Sequence, residues 1–181
     1  IARELRRRGT ESGQTVKRFL GSITCRGAVW RFDSVGTLCP KVYELADSWE
    51  LSGGLLERLR EEASRKGWDT IACPSPEEPR QLEHLLIPGL GLGFVTSRPG
   101  MNYPGKPYRR IRLDAMARPE GRARLRFETR MTGLLREEAV TDLREAKAAH
   151  DRLEAVYNPY VDFDGVRALA AVETARLLSW L

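Results

Sequence analysis

The segment ADSWELSGG, residues 46–54, lies where a phosphate-binding loop would do its chemistry. It connects a predicted strand, KVYELA, to a predicted helix that begins at the two glycines. The amide groups at a helix N-terminus favour an anion at such a junction. In the GxxxxGKS or GxxxxGKT motif that binds nucleotide phosphates, the glycines allow close approach of the backbone, the lysine reaches the outer phosphates and the hydroxyl binds magnesium. The segment is therefore the first candidate for nucleotide chemistry.

None of the residues that this chemistry requires is present in the segment. Counted back from the helix, the positions of the two glycines, the lysine and the hydroxyl are taken by Ala46, Leu51, Ser52 and Gly53. Asp47 and Glu50 add negative charge where phosphates would have to lie, which is costly at a low effective dielectric. A small anion bound by backbone amides and a plain cap for the helix both stay open, and the cap is favoured. Either interpretation involves the same degenerate phosphate-loop positions, which are Ser48, Ser52, Gly53 and Gly54.

The other metal-binding and nucleophilic candidates are isolated in the sequence. His84 and His150 have one acidic neighbour each, and a metal site needs more converging ligands. Cys73 precedes Pro74 at the end of a predicted strand, but no base lies near it, which favours a buried structural thiol. We therefore predict no metal ion, no cofactor and no catalytic residue in this chain.

Hydrophobic periodicity and the positions of glycine and proline predict an α/β fold. Apolar residues in the region 54–66 recur at helical spacing, and Gly67 follows as a cap. Towards the C-terminus the apolar spacing predicts a long helix over 120–157, ended by Asn158 and Pro159, and then a second helix. Strands that alternate with helices imply a mostly parallel sheet with flanking helices. The predicted strands cover 19–24, 29–32, 41–46, 68–73, 91–97 and 108–115, with one or two helical turns at 80–86.

These elements divide the chain into three predicted parts. Because the chain begins at Ile1, residues 1–17 are expected to be a linker or the end of an upstream domain. Residues 18–118 are expected to form the α/β domain, and residues 119–181 an antiparallel helical hairpin packed on it. If the apolar positions of the hairpin were exposed, it would instead be the docking surface for an upstream half or a second copy. The positions expected to be buried are Met131, Leu135, Leu143, Leu153, Val156, Leu169, Leu177 and Leu178.

Composition narrows the class of protein. With 41% hydrophobic and 30% charged residues, the chain matches a globular protein. No apolar run reaches the ~18 residues needed to cross a bilayer, so we predict no membrane partner. Three cysteines without CxxC spacing predict a reducing, cytoplasmic setting.

The net charge of +5 is unevenly distributed along the chain. Residues 98–130 hold ten bases and three acids. Within this stretch Arg98, Arg109 and Arg110 form a candidate basic contact surface. Nucleic acid is one partner that such a surface would fit, but a solvated face or a contact between domains is favoured.

Four segments carry a resemblance to a known family: FLGSITCRG, GWDTIACPSP, LEHLLIPGLGLGFVTS and AKAAHDRLEAVY. They resemble the C-terminal half of a bacterial family of tandem P-loop ATPase-like proteins, in which two P-loop halves follow each other in one chain. The resemblance covers most of residues 18–180 and implies a P-loop NTPase-like fold. The LIPGLGLGF and AKAAHDRLE runs are its most specific parts.

The chain departs from that family at the positions that carry its chemistry. An intact half has a Walker A loop, a histidine–cysteine pair on the next strand and an aspartate on the strand after it. Here the loop is degenerate, the pair is Ala72 and Cys73, and Thr96 takes the degenerate Walker B position. Threonine cannot supply the carboxylate that would orient magnesium through a water molecule. The resemblance thus implies the fold, while the residues argue against ATP binding and hydrolysis.

The sequence therefore predicts a non-catalytic, degenerate P-loop ATPase-like domain. It is expected to pack on or regulate an NTP-binding half, either upstream in the same chain or in a second copy. One alternative is an active ATP-binding protein whose nucleotide site is shared with that half, with Arg98, Arg109 or Arg110 reaching the phosphates. A second alternative is a nucleic-acid-binding module.

Overall fold

The computed structural model describes residues 5–116 and 121–180, and its centre is a six-stranded sheet. The strands in chain order are β1 (Thr15–Lys17), β2 (Gly21–Thr24), β3 (Gly27–Trp30), β4 (Lys41–Ala46), β5 (Thr70–Pro74), β6 (Leu82–Ile87), β7 (Leu92–Ser97) and β8 (Arg109–Arg112). The sheet has the order β1-β5-β6-β7-β4-β8, while β2 and β3 form a separate antiparallel hairpin. Within the six-stranded sheet β6 alone runs antiparallel to its neighbours. The prediction of an α/β fold with a mostly parallel sheet is confirmed.

Helices cover both faces of the sheet. The helices in chain order are α1 (Phe32–Leu38), α2 (Ser52–Arg65), α3 (Leu113–Met116), α4 (Arg122–Tyr157) and α5 (Phe163–Leu178), with single 3-10 turns at Pro88–Leu90 and Asn158–Tyr160. On one face, Leu56 of α2 packs in a cluster with Leu45 of β4 and Phe94 of β7. On the other face, Val35 of α1 packs in a second cluster with residues of β4, β6 and β7. The alternation of side chains along each strand supplies both clusters at once.

The connection from β4 through α2 to β5 matches the predicted helix at 54–66. Leu56, Leu59 and Ala63 form its buried stripe. Gly67 follows its end with φ of 86°, a backbone conformation that favours glycine and ends a helix. Local capping and periodicity were therefore sufficient to identify this element.

The prediction of helical turns at 80–86 was wrong, because this segment contains the strand β6. Every residue of β6 is buried, so its sequence shows neither an alternating nor a helical pattern. A short buried strand of this kind cannot be distinguished from a buried helical turn by periodicity. Its place between β5 and β7 puts two ionisable residues, Glu83 and His84, inside the sheet.

Two short elements also differ from the prediction. The second predicted strand at 29–32 ends at Trp30, and α1 begins at Phe32. Phe32 and Val35 are the buried residues of α1. Because α1 has only seven residues and a single apolar turn, its hydrophobic periodicity is too weak to identify a helix from the sequence.

The N-terminal segment, which was predicted to be a linker or the end of an upstream domain, contacts the α/β domain over residues 5–17. Leu5 lies in the core cluster beneath α2, and β1 pairs in parallel with β5. Trp68 donates a hydrogen bond from Nε1 to the carbonyl of Arg6 at 2.6 Å, and the guanidinium of Arg8 lies over its ring. These contacts make residues 5–17 part of the α/β unit.

The C-terminal helices form close to the predicted bounds, but the prediction that their apolar side chains are buried was wrong. The eight positions expected in the interior are between 39% and 68% exposed. These are Met131, Leu135, Leu143, Leu153, Val156, Leu169, Leu177 and Leu178. The physical reason is that α4 turns a different face, the one with Thr132, Gly133 and Arg136, towards the α/β unit. The side chain of Asp162 caps α5 by accepting a hydrogen bond from the amide of Gly165.

None of the helices in residues 5–116 and 121–180 combines the length and the apolar character needed to cross a membrane.

Candidate functional site

The candidate site is the carboxyl edge of the parallel strands β4 and β7. The two strands are in register, with Ala46 opposite Ser97, so the segments that follow them meet at one edge. The loop 47–51 and the start of α2 come from β4, and Arg98 follows β7. Open α/β sheets bind ligands at this edge.

Asp47 fills the place that a phosphate would take at the N-terminus of α2. Its side chain is 1% exposed. Its Oδ1 accepts hydrogen bonds from the amides of Trp49 and Leu51 at 3.2 and 3.0 Å, and its Oδ2 accepts one from the amide of Ser52 at 2.6 Å. The free amides and positive dipole end of a helix normally attract an anion from solution. In this chain the carboxylate of Asp47 binds the first amide of α2, that of Ser52, and two amides of the loop before it.

The neighbouring phosphate-loop positions are also engaged in contacts within the protein. Ser48 donates hydrogen bonds to the carboxylate of Asp114 from its amide at 2.7 Å and from its hydroxyl at 3.0 Å. A Cβ on Gly53 would meet the side chain of Gln81 at 2.8 Å, whereas a Cβ on Gly54 would meet nothing within 4 Å. Ser48 thus lies in the loop before α2 and is bound to Asp114, while Gly53 and Gly54 lie in the first turn of α2.

In the family that the sequence resembles, Ser52 would correspond to the Walker A lysine and Thr96 to the Walker B aspartate. The two side chains contact each other. The Thr96 hydroxyl donates to the Ser52 hydroxyl at 3.1 Å, and both residues are buried. This contact is a neutral hydrogen bond, and it places neither a cation for a phosphate nor a carboxylate for magnesium. The two positions were predicted separately, and the structure brings them together.

A buried group of ionisable residues lies directly behind this contact, and sequence reasoning missed it. The amide of Thr96 donates to Nδ1 of His84 at 3.1 Å, so we assign the ring proton to Nε2. That nitrogen lies 3.2 Å from Oε2 of Glu83, though not in hydrogen-bond geometry. Nη2 of Arg98 lies 2.8 Å from Oε1 of the same carboxylate. The signal in the sequence was two adjacent polar residues inside an apolar run, since buried charges require partners.

Opposing influences act on the pKa of Glu83. Burial raises the pKa of this carboxyl, while the adjacent ring of His84, the charge of Arg98 and the indole of Trp30 lower it. The lowering influences prevail, and the pKa lies below its ordinary value. Glu83 is thus held in its charged form by its neighbours.

The predicted basic contact surface is divided by the structure. Arg98 does not belong to it, because its side chain is only 16% exposed and pairs with Glu83. Arg109 and Arg110 lie on the edge strand β8 and are exposed. Nε of Arg110 lies 3.7 Å from the buried carboxylate of Glu44, and that pair is too exposed on the arginine side to contribute much stability.

The two cavities around the loop 47–51 hold more carboxylates than guanidinium groups. Their carboxylates belong to Asp47, Glu50, Glu77, Glu78, Glu83 and Glu128, and their guanidinium groups to Arg98 and Arg136. Despite these carboxylates, no group of histidine, cysteine, aspartate or glutamate in the described part of the chain is arranged to hold a metal ion. The electrostatic field at the edge opposes a polyanion such as a triphosphate.

Cys73, on β5, and Cys39, which lies just before β4, are both buried. Burial, with a smaller influence of Glu83, raises the pKa of the Cys73 thiol to about 12. Burial likewise raises the pKa of Cys39 to about 11. Both thiols are therefore protonated at neutral pH, which makes them poor nucleophiles.

Replacing Glu83 with glutamine is expected to change how stability depends on pH. Since the folded-state pKa of Glu83 lies below its ordinary 4.5, its charge stabilises the fold above pH 4.5, and this contribution is lost as pH falls through the folded-state pKa. Urea denaturation between pH 7 and pH 3 should show a shallower loss of stability in Glu83→Gln than in the wild type. At pH 7 the variant should be less stable by about 3–5 kcal/mol, because it removes the buried carboxylate that lies closest to the guanidinium of Arg98.

Glu138→Gln, at an exposed position of α4, is the matched control and should follow the wild-type pH profile. Identical pH profiles for Glu83→Gln and the wild type would contradict the assignment of a charged, stabilising Glu83.

Comparison of the chain with protein-family models, curated proteins and solved structures finds no match. The likeness to tandem P-loop proteins therefore stays a prediction from the sequence.

Proposed function

We propose that this chain is a non-catalytic, P-loop-like domain that packs on or regulates an NTP-binding half, located in the same chain or in a second copy. The observation that carries the proposal is the carboxylate of Asp47, which is hydrogen-bonded to the amides of Leu51 and Ser52 where a phosphate would bind. In this proposal, the carboxyl edge of the sheet binds no nucleotide, and a different surface of the chain binds another domain.

The geometry around Asp47 argues against phosphate binding for two reasons. A phosphate would have to displace a buried carboxylate from amides that it already satisfies, at 2.6 Å in the case of Ser52. It would also meet an edge where carboxylates outnumber guanidinium groups. Both effects act in a region of reduced dielectric, where charge repulsion is strong.

The remaining catalytic positions support the same conclusion. Ser52 and Thr96 pair as neutral hydroxyls, so neither supplies the charge that phosphoryl transfer requires. Arg98, which the shared-site alternative would direct to a phosphate, is occupied by Glu83. Arg98, which follows β7 at this edge, is therefore not available to a phosphate, and this argues against the alternative of an active nucleotide site.

The regulatory or packing role rests on the exposed apolar side chains of α4 and α5. Phe163, Leu169 and Val172 of α5 are exposed, and apolar residues occur on every side of this helix. A helix that is apolar all round is normally enclosed by other protein. Large exposed apolar patches mark surfaces that bind protein partners. We assign the partner surface of the proposed function to α5 and the outward face of α4.

Titration calorimetry with Mg-ATP is expected to give no saturable heat at submillimolar ligand, because residues 47–53 include no cationic side chain and Asp47 already binds the amides of Trp49, Leu51 and Ser52. Gly53→Val tests the site if any heat appears, and Gly36→Val, a helical glycine with open space around it, is the matched control. Saturable binding of Mg-ATP that Gly53→Val abolishes and Gly36→Val leaves intact would contradict the proposal that this edge binds no nucleotide.

The apolar surface is expected to make the isolated chain associate with itself when no upstream half is present. Light scattering over micromolar to submillimolar concentrations should show an oligomer that Leu169→Glu and Val172→Glu weaken by about tenfold or more, since each buries a charge at the contact. Thr174→Glu, which adds the same charge at an exposed polar position of α5, is the control. A monomer at all concentrations would exclude a second copy as the partner.

A further inference from the structure

An open cleft of about 450 Å³ lies between α4 and the carboxyl edge of the sheet. Trp49, Glu50, Arg98 and Pro99 form its sheet side. The side formed by α4 consists of Leu125, Glu128, Thr129, Thr132, Gly133 and Arg136. Cavities that hold small ligands have volumes in this range, about 300–1,000 Å³.

The cleft exists because α4 turns its small residues inward. Thr129, Thr132 and Gly133 face the sheet edge, and a Cβ on Gly133 would meet nothing within 4 Å. Met131 and Leu135, which would fill such a gap, are exposed on the opposite side. An amphipathic helix ordinarily packs its bulky apolar face inward. The reversed arrangement leaves space for a ligand.

The sheet side of the cleft is rigidly organised. Glu50 adopts φ of 58°, the left-handed conformation that is uncommon for a residue other than glycine. Gln81 donates a hydrogen bond to the carbonyl of Glu50 at 3.1 Å, and Asp47 accepts the amides of Trp49 and Leu51 on either side of it. Strained backbone held in this way is found most often at ligand sites. A rim that is already ordered loses little entropy when a ligand binds.

The uncompensated charge in the cleft is negative. Nη2 of Arg98 lies 2.8 Å from Glu83, and Arg136 donates to Glu77 from Nε at 2.5 Å and from Nη2 at 3.0 Å. Both guanidinium groups are thereby neutralised. Glu50 is 62% exposed, and its carboxylate comes no closer to Arg98 than 3.8 Å. An entering ligand thus meets the exposed carboxylate of Glu50, which is only loosely paired with Arg98, and the side chain of Trp49, which also lines the cleft.

We propose that this cleft binds a flat ligand that carries an amidinium or guanidinium group. Its plane would lie against Trp49, since indole is the side chain that best stabilises a planar cation. Its N–H groups would donate to the carboxylate of Glu50, a geometry in which two parallel hydrogen bonds form. The small side chains of Thr129, Thr132 and Gly133 leave room for the opposite face of the ligand. This site is independent of the proposed function, which concerns the outer face of α4 and the amides of α2.

Benzamidine is the first probe, because it combines a flat ring with an amidinium. Titration of the whole chain, followed by ligand-observed NMR, should give saturable binding with a Kd on the order of 1 mM, as expected for a ligand of this size. Benzamide and benzoate have the same shape with neutral and negative groups, and both should bind at least about tenfold more weakly. Acetyl-arginine amide is the second probe. Tighter binding of benzamidine indicates a small aromatic cation as ligand, and tighter binding of the arginine amide indicates an arginine side chain of a peptide.

Two variants locate the binding. Glu50→Gln should weaken benzamidine binding about tenfold by removing the charge. Gly133→Leu should abolish the binding by filling the cleft, whereas Gly36→Leu, at an open helical glycine of α1, should have no effect. Thermal unfolding checks that each variant is folded, and Glu50→Gln keeps the test valid if Gly133→Leu is not. No saturable binding below about 10 mM, equal affinity for benzoate, or unchanged affinity in Glu50→Gln would each overturn the proposal.

Discussion

The hydrogen bonds between the carboxylate of Asp47 and the backbone amides of residues 49, 51 and 52 determine the rest of this structure. They begin α2 without an external anion, and α2 in turn covers one face of the sheet. They also turn the loop so that Trp49 and Glu50 point into the cleft beneath α4. Without this carboxylate, the helix terminus would have unsatisfied donors at a buried position, which is costly in free energy. One side chain therefore both stabilises the fold and removes the site that a phosphate would use.

A second set of charges connects the sheet to α4. The antiparallel strand β6 places Glu83 beside Arg98, and Arg98 lies 3.8 Å from Glu77. Glu77 in turn pairs with Arg136 of α4. This pair and the packing of α4 against the β2–β3 hairpin hold the helix near the sheet, while the cleft between them stays open. The same placement leaves its bulky apolar residues facing outward, where another protein surface can cover them.

The sequence was informative wherever local signals determined the structure. The strand β4, the helix α2 with Gly67 after it and the strand β7 follow from periodicity and glycine patterns, and the structure contains all three. The sequence also identified Ser52 and Thr96 as positions without phosphate chemistry. It could not show that their hydroxyls meet, because that contact depends on the register of β4 with β7 across 44 residues of sequence.

Other features depend on long-range packing that no local pattern encodes. The burial of β6 removes the alternation by which a strand is recognised, so Glu83 and His84 were not expected inside the sheet. Helical periodicity correctly indicated α4 and α5, but it cannot show which side of a helix faces the core when apolar residues lie on several sides. Leu135 and Leu169 were therefore predicted to be buried and are exposed. Arg98 was grouped with Arg109 by sequence proximity, although the fold directs the two residues to different environments.

The central claim is that the carboxylate of Asp47 replaces a bound anion, and anion rescue of Asp47→Ala tests it most directly. The thermal midpoint is measured in sodium sulfate and in sodium chloride at equal ionic strength, for the wild type, for Asp47→Ala and for Asp33→Ala, a control at an exposed acidic residue in the first turn of α1. Sulfate stabilises most proteins slightly, so the difference between variants is the relevant quantity. The account predicts an additional rise of about 2–4 °C in Asp47→Ala alone, as sulfate binds the vacated amides. The same sulfate response in all three proteins would contradict it.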